Sequence, residues 1–448
     1  LMGKNGSRQV LVNSHGQEVG TLDEKPAEAG KQLKLTVDVD LQIAAEEAIE
    51  GKNGAIVAMD PHTGEILAMV SRPTFDANDF AVRISRNEWN QLVNDPDHPL
   101  LNKAIQAQLA PGSTFKILMA TAGWQEGVAQ NMNVHCNGGA EFYGRRFGCW
   151  VKSGHGEVDL TKAIYQSCDV FFYTLANKLG IGRIAQYATS LGLGQKTGID
   201  LPQEVSGVMP SEEWKLRNFR QKWFAGETIS VGIGQGAVAT TPVQLMRAIA
   251  AISTDGRMVV PHVADPAGLP QNFLEVTHYN EVKNIPIDQN GWNVITDAMG
   301  RVLLPEGTAP SAHIAGIDIA GKTGSAQIVS LATRAKHQAN SALAQNGWFV
   351  GFTPRRNPDI IVCVLFEGGE HGKLAARLAT QVIKAYVDKQ RRQPTNVVQK
   401  PENGKTEIGA LWTSPDESGN GEKLRVGHMS VAMPKKPLPL AMAAPGLR

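Results

Sequence analysis

Apolar positions along the chain fall in short runs and helical stripes. Ala55–Asp60 and Glu65–Ser71 are apolar-rich arms around Pro61-His62-Thr63-Gly64, the pattern of a β-hairpin. From Ser113 the spacing becomes helical, with Phe115, Leu118, Met119 and Ala122 on one face and Pro111-Gly112 at the mouth. A second helical stretch follows Asp169 and is predicted to end near Gly180. Four strands are expected between 314 and 367: Ile314–Ile319, Gln327–Ser330, Trp348–Thr353 and Ile360–Phe366. Residues Pro354–Pro358 join the last two as a hairpin connection, and the uniformly apolar run Ile360–Phe366 predicts a central strand covered on both faces. Leu374, Leu378, Val382, Ile383 and Tyr386 then mark an amphipathic helix. Strands interrupted by helical stretches predict an α+β fold, an antiparallel sheet covered by helices with an all-helical subregion.

The polar stretch 1–34, with strand-like Arg8–Asn13 and turn signals at Gly16 and Gly20, reads as the end of another module. The main domain is expected over 35–390. Residues 391–448, rich in Pro, Gly and Lys with few aromatics, are expected to be disordered.

Composition adds exclusions. Lys plus Arg number 44 and Asp plus Glu 43, so no global field favours nucleic acid or an anionic membrane. No run of about 18 apolar residues marks a membrane span. The chain opens on Leu1 with no signal peptide, and it is expected to be a fragment lacking an upstream segment.

Three short motifs carry candidate chemistry. In Ser113-Thr114-Phe115-Lys116, the i, i+3 spacing puts serine and lysine on one face of a helix. A serine at a helix start has backbone N–H groups aimed at its reacting centre, and a lysine made neutral part of the time can take its proton. The tetrad alone fits a capped surface helix with a solvated lysine better than it fits a nucleophile and its base. In Ser167-Cys168-Asp169, Asp169 could simply cap the next helix, or Ser167 could shuttle a proton between Lys116 and a leaving amine. Lys322-Thr323-Gly324 lies on a strand-like stretch, where a lysine and a hydroxyl could hold a carboxylate. The same triplet at Lys196-Thr197-Gly198 follows Gly192 and Gly194 and reads as a turn. What makes the three notable is their order: the second follows the first by about 50 residues and the third sits on a late strand.

With these motifs the chain resembles the class B penicillin-binding proteins, specifically the elongation type. Gly54–Arg72, Asn102–Lys116, Gly232–Pro242 and Trp348–Pro354 share the resemblance, which covers roughly residues 8–388. It implies a serine D,D-transpeptidase that cross-links peptidoglycan stem peptides and is blocked by β-lactam antibiotics. By resemblance, Ser113 is the nucleophile and Lys116 its base. Ser167 and Asp169 complete the proton path. Lys322, Thr323 and Gly324 bind substrate. The N–H groups of Ser113 and Ser325 form the oxyanion hole. The donor peptide is expected along 321–327 as an added strand. Also implied are stem-peptide and lipid-linked precursors as substrates, a membrane glycan polymerase and elongation-complex proteins as partners, and a place on the periplasmic face of the inner membrane through an N-terminal helix outside this chain. Residues 1–34 resemble the end of the family's N-terminal pedestal. Asp169 departs from the Asn usual in the wider superfamily. An ionised Asp cannot donate a hydrogen bond and could instead pair with Lys116. The alternatives are a carboxypeptidase or β-lactamase, a β-lactam sensor, or a silent scaffold.

Three of the four cysteines fall between 136 and 168. Cys136, Cys149, His155 and Cys168, spaced C-x12-C-x5-H-x12-C, suit a tetrahedral structural Zn2+. A Cys136–Cys149 disulfide, unlinked thiols, or His135 in place of His155 also fit. Cys363, in the apolar run, is expected in the core.

Overall fold

The structure, a computed structural model, describes residues 3–81, 83–279, 281–327, 345–369 and 371–392. Residues 328–330 of the expected strand Gln327–Ser330, and 393–448 of the stretch 391–448 expected to be disordered, lie outside the described residues, while Arg391 and Arg392 end a helix. Strands β1 (Ser7–Val12) and β2 (Glu18–Lys25) form an exposed antiparallel hairpin. Five others, β3 (Gly54–Met59), β4 (Ile66–Arg72), β5 (Ala320–Gln327), β6 (Gln345–Thr353) and β7 (Ile360–Phe366), make one sheet in the order β5-β6-β7-β3-β4. Every neighbouring pair is antiparallel. The β3–β4 hairpin is set by its turn, where Asp60 Oδ1 accepts from the N–H groups of His62 and Thr63.

Strand β7 occupies the centre, as its uniform apolarity predicts. Ile361, Cys363 and Leu365 enter one core, and Ile360, Val362 and Val364 enter the other. Cys363 is fully buried, and burial pushes its thiol up. The second core is closed by α1 (Val39–Ala48, capped by Asp38) through Leu41 and Ala45. Helices α2 (Lys116–Gln125), α3 (Asp169–Ser190), α4 (Pro242–Ser253) and α5 (Gln289–Arg301) contribute to the first. The last helix among the described residues, α6 (Gly372–Arg392), lays Ala375, Leu378, Val382 and Ile383 on the second core.

The helix after Asp169 does end at Gly180, where φ 72° and ψ 160° are non-helical, and a second helical segment bearing buried Ile181, Ile184 and Ala188 runs on to Ser190. Two expectations need correction. Ile314–Ile319 is not a strand. It turns at Gly316 (φ 76°) and buries its apolar side chains against the second core without a ladder; the strand begins at Ala320. The helix expected from Ser113 is a 3-10 turn, Gly112–Phe115, followed by α2. Residues Lys116–Gly123 are buried all round and not on one face, as befits a helix enclosed by neighbours.

Candidate active site

The 3-10 turn presents half-buried Ser113 at the start of α2, and Lys116 begins the helix proper with no exposed surface. The Lys116 ammonium donates to the Ser167 carbonyl at 2.9 Å, to Ser167 Oγ at 3.2 Å and to Asp169 Oδ1 at 2.6 Å. Ser167 can offer both oxygens because its φ is 55°, a conformation uncommon for serine. Asp169 is the first residue of α3 and does not cap it. Its second oxygen accepts the Trp150 N–H at 3.0 Å. A carboxylate in the first turn also faces the positive end of the helix. Breaking such a buried ion pair from one side strands a charge. Ser113 Oγ makes no hydrogen bond among the described residues.

Lys322 and Thr323 lie on β5, whose outer edge pairs with no strand among the described residues. Lys322 is fully buried and donates to its neighbour's carbonyl at 3.1 Å. Burial, reinforced by the Lys116 charge and opposed by Asp169, holds its ammonium well below the ordinary lysine range. The Thr323 hydroxyl meets that of Thr308 at 2.7 Å.

Backbone contact brings the two halves together. A Cβ on Gly112 (φ 55°) would stand 2.6 Å from the Ser325 carbonyl oxygen, and one on Gly324 would stand 2.7 Å from that of Pro111. Only glycine permits this approach. From the other side, Gly234 O accepts the Gly112 N–H at 2.9 Å, while the Gln235 amide donates to Ser325 O at 3.4 Å. Ser325 Oγ accepts the Gly372 N–H at 3.2 Å. Ser113, Lys116, Ser167, Asp169, Lys322, Thr323, Gly324 and Ser325 thus converge. The other triplet, Lys196-Thr197-Gly198, is a turn tied to the Glu204 carboxylate. Thr308, Trp150 and the Gly234-Gln235 contacts were missed, because they act through long-range contacts with no local spacing signal.

Next to Asp169 lies the cysteine cluster. The ligand atoms of Cys136, Cys149, His155 and Cys168 all lie within 4.8 Å of one another. The strand segments Val134–Cys136 and Gly156–Val158 pair to bring the first and third into range. His155 Nδ1 stands 3.6 Å from both Cys136 Sγ and Cys149 Sγ. The Cys149 thiol is drawn well below its ordinary value, chiefly by a hydrogen bond from Cys168, and the same bond pushes Cys168 up. All four cysteines are free of disulfides. His135 is outside the cluster, paired with Glu157. Three thiols and one imidazole turned inward fit a tetrahedral divalent ion of zinc type.

A serine on a tight turn, a buried lysine beside it, and a lysine-threonine pair on a facing sheet edge define a serine acyl-transfer type of site. The family description "Penicillin binding protein transpeptidase domain" matches residues 54–385, and the chain belongs to that family. It is 38% identical over 441 residues to the peptidoglycan D,D-transpeptidase MrdA of Acinetobacter baumannii, covering 94% of this chain and 63% of that protein. With MrdA of Escherichia coli it shares 35% over 391 residues, 86% of this chain and 62% of the relative. The chain therefore spans less than two thirds of the length of these relatives. Among solved structures, Pseudomonas aeruginosa PBP2 in complex with WCK 5153 superposes with TM-score 0.73 at 37% identity, covering 81% of this chain and 77% of that one. Helicobacter pylori PBP2 in complex with MreC gives TM-score 0.73 at 31%, covering 87% and 70%. The α+β fold expected from the sequence is that of these structures.

Proposed function

We propose that the protein is the D,D-transpeptidase part of an elongation-type penicillin-binding protein, cross-linking peptidoglycan stem peptides through an acyl-enzyme on Ser113. The supporting observation is the direct packing of the Pro111-Gly112 turn on Gly324-Ser325. That packing supports a role for the N–H groups of Ser113 and Ser325 as donors to a developing oxyanion, because it brings the serine's turn against the strand that carries Ser325. The reaction uses Lys116 as a neutral amine, which Asp169 and Ser167 hold in place at 2.6 and 3.2 Å. Lys116 then removes the Ser113 proton as Oγ attacks the carbonyl of the D-alanyl-D-alanine amide. Ser167, hydrogen-bonded to Lys116, passes the proton to the departing D-alanine nitrogen as the C–N bond breaks. Lys322 and Thr323 bind the terminal carboxylate, which restores full charge to a lysine held low by burial. The donor peptide adds to the free edge of β5. An amine of a second stem peptide attacks the ester, freeing Ser113. A β-lactam presents an equivalent amide and stays on Ser113.

The Cys136, Cys149, His155 and Cys168 set would hold a structural Zn2+. The ion would supply no chemical step. It would anchor the loop before Trp150, whose N–H holds Asp169. The same reading implies residence on the periplasmic face of the inner membrane, residues 1–34 as the end of a pedestal, and a glycan polymerase and elongation-complex proteins as partners. Consistent with such partners, the H. pylori relative was solved with MreC, and a related structure concerns a peptidoglycan synthase complex (32% identity, TM-score 0.72).

The test is intact mass after brief penicillin exposure, beside Ser113→Ala. An adduct of one penicillin on the wild type alone is expected. An adduct that survives in Ser113→Ala, or none on folded wild type, would overturn the assignment.

A further inference from the structure

One residue beyond Gln235, whose amide reaches Ser325, the same loop becomes the wall of a cavity of about 330 Å³ through Gly236 and Ala237. The opposite walls come from the helix Glu212–Phe219, which supplies Trp214 and Phe219, and from Trp223. Trp214 and Phe219 meet edge to face at 5.4 Å between centroids. The Trp223 indole is fixed by its N–H bond to Thr228 at 2.8 Å. Gln221 and Ser230 add an amide and a hydroxyl to the lining.

Charge in this cavity cancels within its own wall. Lys215, 6% exposed, donates to both Glu227 oxygens at 2.6 and 2.5 Å. Glu227 also accepts the Phe224 N–H at 3.1 Å. No unpaired charge is left to receive the carboxylates or ammonium groups of a stem peptide, and burying those without partners is costly. The remaining chemistry is the aromatic side chains Trp214 and Phe219, with Trp223 under the Lys215 ammonium at 5.8 Å, beside neutral hydrogen-bonding groups, which suits a pyranose ring. Its C–H faces lie on the aromatics, and its hydroxyl and acetamido groups meet the amide and the hydroxyl. The volume is at the small end of the usual range for ligand sites, about 300–1,000 Å³, and suits one ring.

We propose that this cavity is a sugar subsite, holding a neutral N-acetylated ring of the glycan that carries the donor stem peptide. The proposal rests on the transpeptidase reading, because the cavity adjoins the loop that supports Ser113 and Ser325. It makes the glycan part of what the enzyme recognises, so that a stem peptide still joined to sugar binds better than a free one.

Calorimetry on the Ser113→Ala protein, which cannot turn substrate over, tests this with three ligands. They are a stem pentapeptide ending in D-Ala-D-Ala, the same peptide carrying its disaccharide, and the disaccharide alone. The sugar-bearing peptide should bind about tenfold more tightly than the bare one, a gain within reach of one well-packed ring. Added Phe219→Ala or Gln221→Ala should each reduce that gain to about twofold or less. Phe219 is exposed at the surface and Gln221 lies in a loop, so each change can be checked against an unaltered circular dichroism spectrum. Equal affinity for the two peptides, or a gain that survives both substitutions, overturns the proposal. Penicillin acylation of the wild type, without a sugar gain in Ser113→Ala, would leave the transpeptidase reading standing and remove the subsite. Disaccharide binding that depends on Phe219, together with a wild-type protein that penicillin does not acylate, would keep the subsite and remove the transpeptidase reading.

Discussion

Replacing Gly112 by alanine isolates the contact on which the site depends. A Cβ there would stand 2.6 Å from the Ser325 carbonyl oxygen, 3.0 Å from its carbon and 3.2 Å from its nitrogen, where ordinary contact begins at 3.4 Å. Turn and strand must therefore part by roughly three-quarters of an ångström. Ser325 cannot yield easily, because it is in register with Gly347 in the ladder to β6. The φ of 55° adds about 1–2 kcal/mol for a residue with a side chain, and overpacking adds about 1–3 kcal/mol. The larger effect should be kinetic. The Ser113 and Ser325 N–H groups would no longer converge, and a misplacement near 1 Å can cost about 100-fold in rate. We expect Gly112→Ala to lower the second-order rate of acylation by a fluorescent penicillin by about 30–100-fold. Gly127→Ala is the matched control. Its φ is 69°, but nothing lies within 4 Å of the added methyl, so it should lose about 1–2 kcal/mol of stability and acylate normally. Stopped-flow acylation and urea unfolding of both variants decide the matter. A wild-type rate in Gly112→Ala, or an equal slowing in Gly127→Ala, would refute the reasoning.

Two further outcomes are expected. The buried Lys322 ammonium is held well below its ordinary 10.5, so the folded chain binds fewer protons than the unfolded chain between those values. Its cost to stability therefore shrinks as pH rises through that window, by up to about 1.4 kcal/mol per pH unit, and Lys322→Met should remove that rise. Parallel unfolding free energies for the two proteins from pH 7 to 10 would contradict this. Protein purified without chelator should carry one zinc per chain, and Cys149→Ser should lower both the metal content and the thermal midpoint. Sub-stoichiometric metal in a well-folded preparation would end the zinc reading.

Much of this was legible in the sequence. The turn residues and paired apolar arms specify the β3–β4 hairpin locally, and the unbroken run Ile360–Phe366 can be stable only with both faces covered. The order of the three motifs, with the longer resemblance, pointed to Ser113, Lys116 and Lys322, because side chains in short motifs leave a record in local spacing. Ile314–Ile319 was misread because an apolar run records burial and not the ladder that would make it a strand. Gly180 was legible because a glycine signal marks a backbone break, and the backbone there leaves the helical region (φ 72°, ψ 160°) before a second helical segment begins.

Tertiary structure alone decided the rest. Whether Asp169 caps its helix or faces Lys116 depends on where α2 lies against α3, and the answer is an ion pair across 53 positions of chain. Likewise, Gly112 against Ser325 is a contact of two backbones more than 200 residues apart, invisible to any local pattern. The aromatic cavity beside Gln235 gathers residues whose spacing looks like an ordinary surface helix and loop. Local sequence records what each segment does to its own backbone and which face it hides. The distances that make chemistry arise only when hidden faces are packed together, because those distances are set by the summed shapes of all the segments between them.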